Sequence, residues 1–190
     1  PDSSNSAALG YAEISGLPFE LGLIRNHYVG RTFIQPGQAV RDFRVKIKYN
    51  PVTSVIRGKR VVVVDDSIVR GTTSKALVGL IREAGAAEVH LRVASPPLRH
   101  PCYYGIDIPN RDELIAANMT VPEIAAFVGA DSLGYLSFDG LYRAVGAREQ
   151  HCDACMSGNY RVPLEQGIEE KTAFETPEPR VHSPVEAPVA

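Results

Sequence analysis

Two adjacent carboxylates, then a glycine and three hydroxyl residues, lie in one stretch: Val61-Val62-Val63-Val64-Asp65-Asp66-Ser67-Ile68-Val69-Arg70-Gly71-Thr72-Thr73-Ser74. The β-branched run at its head reads as a parallel-sheet strand buried on both faces. Such a strand carries Asp65 and Asp66 to its carboxyl end, where open α/β sheets bind ligands. Gly71 permits a tight turn and close approach of the backbone. Thr72, Thr73 and Ser74 open a helix whose first amides and hydroxyls form a phosphate cup without a lysine. The two acids would repel phosphate. They suit sugar hydroxyls, or a Mg2+ ion that bridges to phosphate oxygens. The stretch therefore asks for a ligand with hydroxyls at one end and a phosphate a ribose-length away. In the plainer alternative, Asp65 and Asp66 cap the following helix and Thr72 is its N-cap. Neither the GxxxxGK[ST] triphosphate loop nor the GxSxG nucleophile elbow occurs.

Three cysteines are the second reactive set: Cys152 and Cys155 in a CxxC spacing, and Cys102 fifty residues earlier. An odd number argues against a disulfide framework. The spacing suits a metal, with His100 or His151 as a fourth ligand for zinc. A redox dithiol and two incidental surface thiols are the alternatives. His90 lies among apolar neighbours in a strand and reads as a satisfied core or edge histidine.

The elements that must position these groups alternate. Helices are predicted over 6–16, 72–84, 111–118, 122–128 and 138–145. Strands are predicted over 19–24, 60–64, 88–94 and 133–137, with a hairpin or two short strands over 45–49 and 53–56 around Asn50-Pro51. This order predicts an α/β fold with a mainly parallel sheet flanked by helices. Residues 164–190, with six Glu against Lys171 and Arg180 and four prolines, read as an acidic disordered tail. The expected division is 1–148 as the ligand-binding domain, 149–163 as a cysteine-bearing segment, and 164–190 as tail.

The 190 residues carry a net charge of −2, distributed unevenly. Residues 25–60 hold nine Lys or Arg against Asp42 alone, a footprint for a polyanion. Tyr28, Phe33, Phe43 and Tyr49 are too few and irregular there for a single-strand nucleic-acid binder. The longest apolar runs are far too short to span a bilayer. No leader pattern opens the chain, so a cytoplasmic protein that binds neither membrane nor nucleic acid is expected. The chain begins at Pro1 rather than Met, and an N-terminally truncated domain is expected.

The 14-residue string resembles the phosphoribosyl pyrophosphate (PRPP) loop of the type I phosphoribosyltransferases. Pro1-Asp2-Ser3-Ser4 with Ala7–Ala12 resembles their pyrophosphate loop and helix. Asn26–Pro36 is similar to their flexible active-site loop, and Ser95-Pro96-Pro97, Pro101-Cys102 and Gly105-Ile106-Asp107 complete a pattern found in the glutamine PRPP amidotransferase family. The likeness covers residues 1–162. It implies a type I phosphoribosyltransferase fold and the first step of de novo purine synthesis: PRPP, glutamine and water give 5-phosphoribosylamine, glutamate and pyrophosphate. Asp65 and Asp66 would face the ribose hydroxyls and, with Ser3, the Mg2+. Arg70, Gly71, Thr72, Thr73 and Ser74 would hold the 5-phosphate; Asp2, Ser3 and Ser4 would meet the pyrophosphate. Arg31, with Tyr28 and Thr32, would close as a lid. His27 departs from the family's usual arginine, which weakens the positive lid at neutral pH.

The same resemblance implies that Cys102, Cys152 and Cys155 join an earlier cysteine, outside this chain, on a 4Fe–4S cluster. It further implies ammonia from a glutaminase domain, purine nucleotides as inhibitors, and a homo-tetramer. The strand before Pro1 and the glutaminase are expected to be missing, so little glutamine-dependent activity is expected from these residues alone. Two rival readings are a purine or pyrimidine salvage transferase and a non-enzymatic PRPP-sensing domain.

Overall fold

The computed structural model describes residues 2–26, 28, 48–106, 108, 110–146 and 150–162. The predicted tail, the predicted strand at 45–47, and His27, Arg31, Thr32 and Asp107 lie outside them.

Helix α1 (Asn5–Ser15) stops at Gly16, which takes the left-handed conformation at φ 71° and closes the helix as a C-terminal glycine does. Strand β1 (Leu23–Arg25) pairs antiparallel with β2 (Tyr49–Pro51). The strand predicted over 19–24 is thus limited to its last residues. Thr53–Ile56, predicted as a strand from its β-branched residues, is instead a single helical turn, α2. Ile56 is the reason: at 1% exposure it fills the core beside Val78, Ile81 and Val89. Burial of one side chain outweighs a weak local preference.

The main sheet is β3 (Arg60–Asp65), β4 (Glu88–Val93) and β5 (Ser132–Tyr135), all parallel and in that spatial order. Helix α3 (Thr72–Glu83) connects β3 to β4. The predicted helix over 111–118 breaks at Leu114 into a 3-10 turn (Arg111–Glu113) and α4 (Ile115–Asn118). Leu114 is extended (φ −81°, ψ 109°) and completely buried. Helix α5 (Val121–Val128) starts in a reciprocal Thr120–Glu123 capping box and ends at Gly129. Helices α6 (Phe138–Val145) and α7 (Ala154–Ser157) follow β5.

Along β4 the residues alternate strictly. Val89, Leu91 and Val93 are buried; Glu88, His90 and Arg92 share the other face. The apolar side packs on Ile68, Val78, Ile81, Ile115, Ile124 and Val128. The second face carries a polar network. His90 Nε2 meets Glu88 at 2.8 Å, Arg60 donates to the same carboxylate at 2.7 Å, and His90 Nδ1 meets Ser132 at 2.9 Å. His90 is therefore a satisfied structural histidine. Val61–Val64, expected to be buried on both faces, are only half-buried. Among the described residues β3 is an edge, with β4 as its one partner.

Candidate functional site

The carboxyl end of β3 brings the two acids and the following helix together. The chain leaves β3 at Asp65, crosses residues 66–70 and enters α3 through Gly71. Ile68 anchors the loop at 1% exposure. Gly71 takes φ +75°, and a Cβ there would lie 2.7 Å from Ile115 Cδ1 and 3.2 Å from Phe127 Cε1. Glycine is thus required twice, for the turn and for the packing. Gly71, not Thr72, is the N-cap, and no side chain caps α3. Capping of α3 therefore does not account for Asp65 and Asp66.

Their surroundings differ sharply. Burial pushes the Asp65 carboxyl up to about 6, with the neighbouring Asp66 carboxylate adding to the rise. Hydrogen bonds from the Asp66 N–H and from Ser4 work in the opposite direction. Asp66 is exposed and accepts from the Ser67 N–H at 2.7 Å. One acid is half-buried and the other exposed, an arrangement that a cation or a set of hydroxyl donors would relieve.

The segment before α1 reaches the same place. Ser4 is buried and hydrogen-bonds Asp65. Asp2 sits at φ 72°, the one described non-glycine residue with positive φ. It accepts from Arg25 Nη1 at 2.6 Å. A cavity of about 410 Å3 begins at Ser3, Ser4, Tyr49 and Asp65 and runs between α1 and β3 along Leu77 and Ile81. Tyr49 has its pKa raised, chiefly by burial and then by Asp65.

Asp2, Ser3, Ser4, Asp65 and Asp66 therefore converge, with Arg70–Ser74 on the adjoining loop and helix start. Ser74 is buried, whereas Thr73 is exposed. Tyr28 stands fully exposed. Sequence reasoning missed Arg25, Tyr49 and Glu113. Arg25 lay inside the basic footprint, a usable signal. Tyr49 and Glu113 carried none, because only the fold brings them near the loop.

The cysteines lie on one seam. Cys155 carbonyl accepts from the Arg99 and His100 N–H groups at 2.9 and 3.0 Å. Tyr160 donates to the Pro101 carbonyl at 2.7 Å and packs edge-on against Tyr103. Buried Asp153, between Cys152 and Cys155, accepts from Tyr142 of α6 and from Ser157. Burial raises the Cys155 thiol, with Cys102 and Cys152 contributing. Among the described residues no three His, Cys, Asp or Glu side chains are grouped so as to hold a metal ion by themselves. Cys102, Cys152 and Cys155, expected to share a cluster, form no such group.

A parallel sheet flanked by helices, with Asp65 and Asp66 at the carboxyl end of β3 and α3 starting just beyond them, is the type I phosphoribosyltransferase fold. No protein-family model matches the chain. The chain is 60% identical over 163 residues to amidophosphoribosyltransferase 1, chloroplastic, of Arabidopsis thaliana, covering 85% of this chain and 29% of that protein. It is 54% identical over 171 residues to the amidophosphoribosyltransferase of Bacillus subtilis, covering 87% and 36%. The solved B. subtilis glutamine PRPP amidotransferase, complexed with ADP and GMP, superposes with a TM-score of 0.76 at 53% identity. That match covers 88% of this chain and 38% of that one. A second structure, described as the allosteric regulatory enzyme of purine biosynthesis, gives 0.77. The chain is thus similar to the C-terminal part of amidophosphoribosyltransferases. It spans about a third of the length of these relatives.

Proposed function

We propose that this chain is the PRPP-binding transferase part of an amidophosphoribosyltransferase, acting with ammonia released from glutamine elsewhere in the protein. The observation that carries the reading is the convergence of the Asp2–Ser4 loop, Asp65, Asp66 and the phosphate cup at one end of β3. In the reaction ammonia nitrogen bonds to the anomeric carbon, the carbon–oxygen bond to pyrophosphate breaks, and its electron pair leaves with pyrophosphate. The new amine gives up a proton to solvent. No strong base is needed, because ammonia is already a nucleophile.

Asp65 and Asp66 orient the ribose hydroxyls and spread negative charge beneath a sugar that becomes cation-like. Gly71, Thr72, Thr73 and Ser74 hold the 5-phosphate with amides and hydroxyls. Ser3 and Ser4 meet the pyrophosphate, and Arg25 fixes Asp2 beside it. Asp65 and Asp66 would hold a divalent cation, which would supply charge neutralisation to the departing pyrophosphate. Arg31, with Tyr28 and Thr32, closes the site against water.

The proposal extends to an iron–sulfur cluster on Cys102, Cys152 and Cys155, with a fourth thiolate from outside this chain. What supports it is the resemblance together with the seam on which the Cys155 carbonyl accepts from the Arg99 and His100 N–H groups near Cys102. The cluster would pin the C-terminal segment to the body. Purine nucleotides compete at the PRPP site, a reading supported by the nucleotides bound to the B. subtilis relative. The protein is proposed to be a homo-oligomer; exposed Leu9, Ile14 and Leu21 supply apolar surface for it.

Mg2+-dependent PRPP binding and ammonia-dependent pyrophosphate release, measured on the whole protein, test the assignment. The combined Asp65→Asn and Asp66→Asn variant is expected to lose both. Near-normal turnover in that variant would overturn the reading.

A further inference from the structure

Residues 111–116 form the outer wall of the phosphate loop. The Ile115 N–H donates to the Val69 carbonyl at 2.9 Å. The Ile115 side chain, with Phe127, fills the space over Gly71. On the exposed side Arg70 Nε donates to Glu113 Oε2 at 2.6 Å. Glu113 thus puts a negative charge beside a loop read as an anion cup. By Coulomb's law alone that charge disfavours the ligand.

The geometry of the pair supplies a compensating reason. Glu113 takes only Nε of Arg70. The two terminal NH2 groups have no other partner among the described residues. A guanidinium is a rigid planar fork, so fixing one nitrogen limits the orientations of the other two. An arginine ordered before the ligand arrives loses less freedom on binding.

We propose that Glu113 is a positioning residue for the 5-phosphate: held through Nε, Arg70 keeps its terminal N–H groups in place for phosphate oxygens. The inference rests on the reading of residues 70–74 as the phosphate cup. It makes a prediction opposite in sign to a simple field effect. Removing an acid beside an anion site ordinarily tightens anion binding; removing Glu113 weakens it.

The test is calorimetric titration of the whole protein with ribose 5-phosphate at fixed ionic strength. Glu113→Ala is expected to bind about fivefold to tenfold more weakly than the unmodified protein. Glu113→Gln, whose amide oxygen still accepts from Nε, is expected to recover most of the affinity. Arg70→Ala and the double variant Arg70→Ala with Glu113→Ala are expected to bind alike, because Glu113 acts only through Arg70. A purely structural role would weaken both backgrounds equally. Unchanged or tighter binding by Glu113→Ala, or further loss on the Arg70→Ala background, overturns the proposal. An unmodified protein that takes up no ribose 5-phosphate overturns the cup reading itself, and this inference with it.

Discussion

Arg25 Nη1 and Asp2 Oδ2 lie 2.6 Å apart, an ion pair that ties β1 to the turn before α1 across 23 residues of sequence. The side chains remain 30% and 45% exposed. A pair this wet contributes less than about 1 kcal/mol to folding. Its effect belongs to the site, because Asp2 holds a left-handed backbone that a free loop would abandon. Arg25→Gln is expected to leave the melting temperature within about 2 °C of the parent while weakening PRPP binding severalfold. Differential scanning calorimetry and a PRPP titration check the two halves.

Asp65 opposes the fold it sits in. Its carboxyl titrates near 6 in the folded protein and at 3.8 when unfolded. Above pH 6 the folded state carries a half-buried charge at a cost. As pH falls from 6 to 4, only the folded state takes up a proton, and stability rises. Asp65→Asn is therefore expected to stabilise the unliganded protein at pH 7 by on the order of 1–3 kcal/mol. That gain should fade below pH 4, and Mg2+-dependent PRPP binding should be weakened but measurable. Urea melts at pH 7.5 and pH 4 measure the first effect. A variant less stable than the parent at pH 7.5 would refute it.

Protons and cations compete for the same carboxylate. Mg2+-dependent PRPP binding should accordingly weaken as pH drops below about 6. The decline should disappear in Asp65→Asn, whose residual affinity should be flat over that range. Titrations between pH 5 and 8 at constant Mg2+ report it.

Gly71→Ala places a methyl 2.7 Å from Ile115 Cδ1 at a φ of +75°. Strain and overpacking together should cost about 1–3 kcal/mol. The loop should shift and PRPP affinity fall. Pairing it with Ile115→Val should restore part of the stability but none of the φ strain, and thermal melts of both variants check this.

Tyr142 of α6 donates to Asp153 between Cys152 and Cys155. Tyr142→Phe leaves that buried carboxylate with fewer donors, at a cost of about 1–2 kcal/mol. The release should be local: limited proteolysis should cut near residues 146–152 faster, with little change in PRPP affinity.

Periodicity and turn residues made most of the fold readable. The helices predicted over 6–16 and 122–128 and the strand predicted over 60–64 match the observed elements to within a residue or two. The failures have a common cause. Thr53–Ile56 is helical because Ile56 must enter a core assembled from distant elements. The helix over 111–118 breaks because Leu114 is drawn inward. The site divides in the same way. Asp65, Asp66 and Gly71 announce themselves in a contiguous string. Arg25, Tyr49 and Glu113 join it only by long-range contacts that no local pattern encodes.

The edge position of β3 has a practical side. Four consecutive valines lie on a strand whose outer rim makes no ladder among the described residues. No proline, lysine or glutamate interrupts that run. Natural sheets blunt such rims because they recruit stray strands from other molecules. A preparation of these 190 residues should therefore precipitate with time and concentration, and a charge at Val62 should slow it more than a charge on α1.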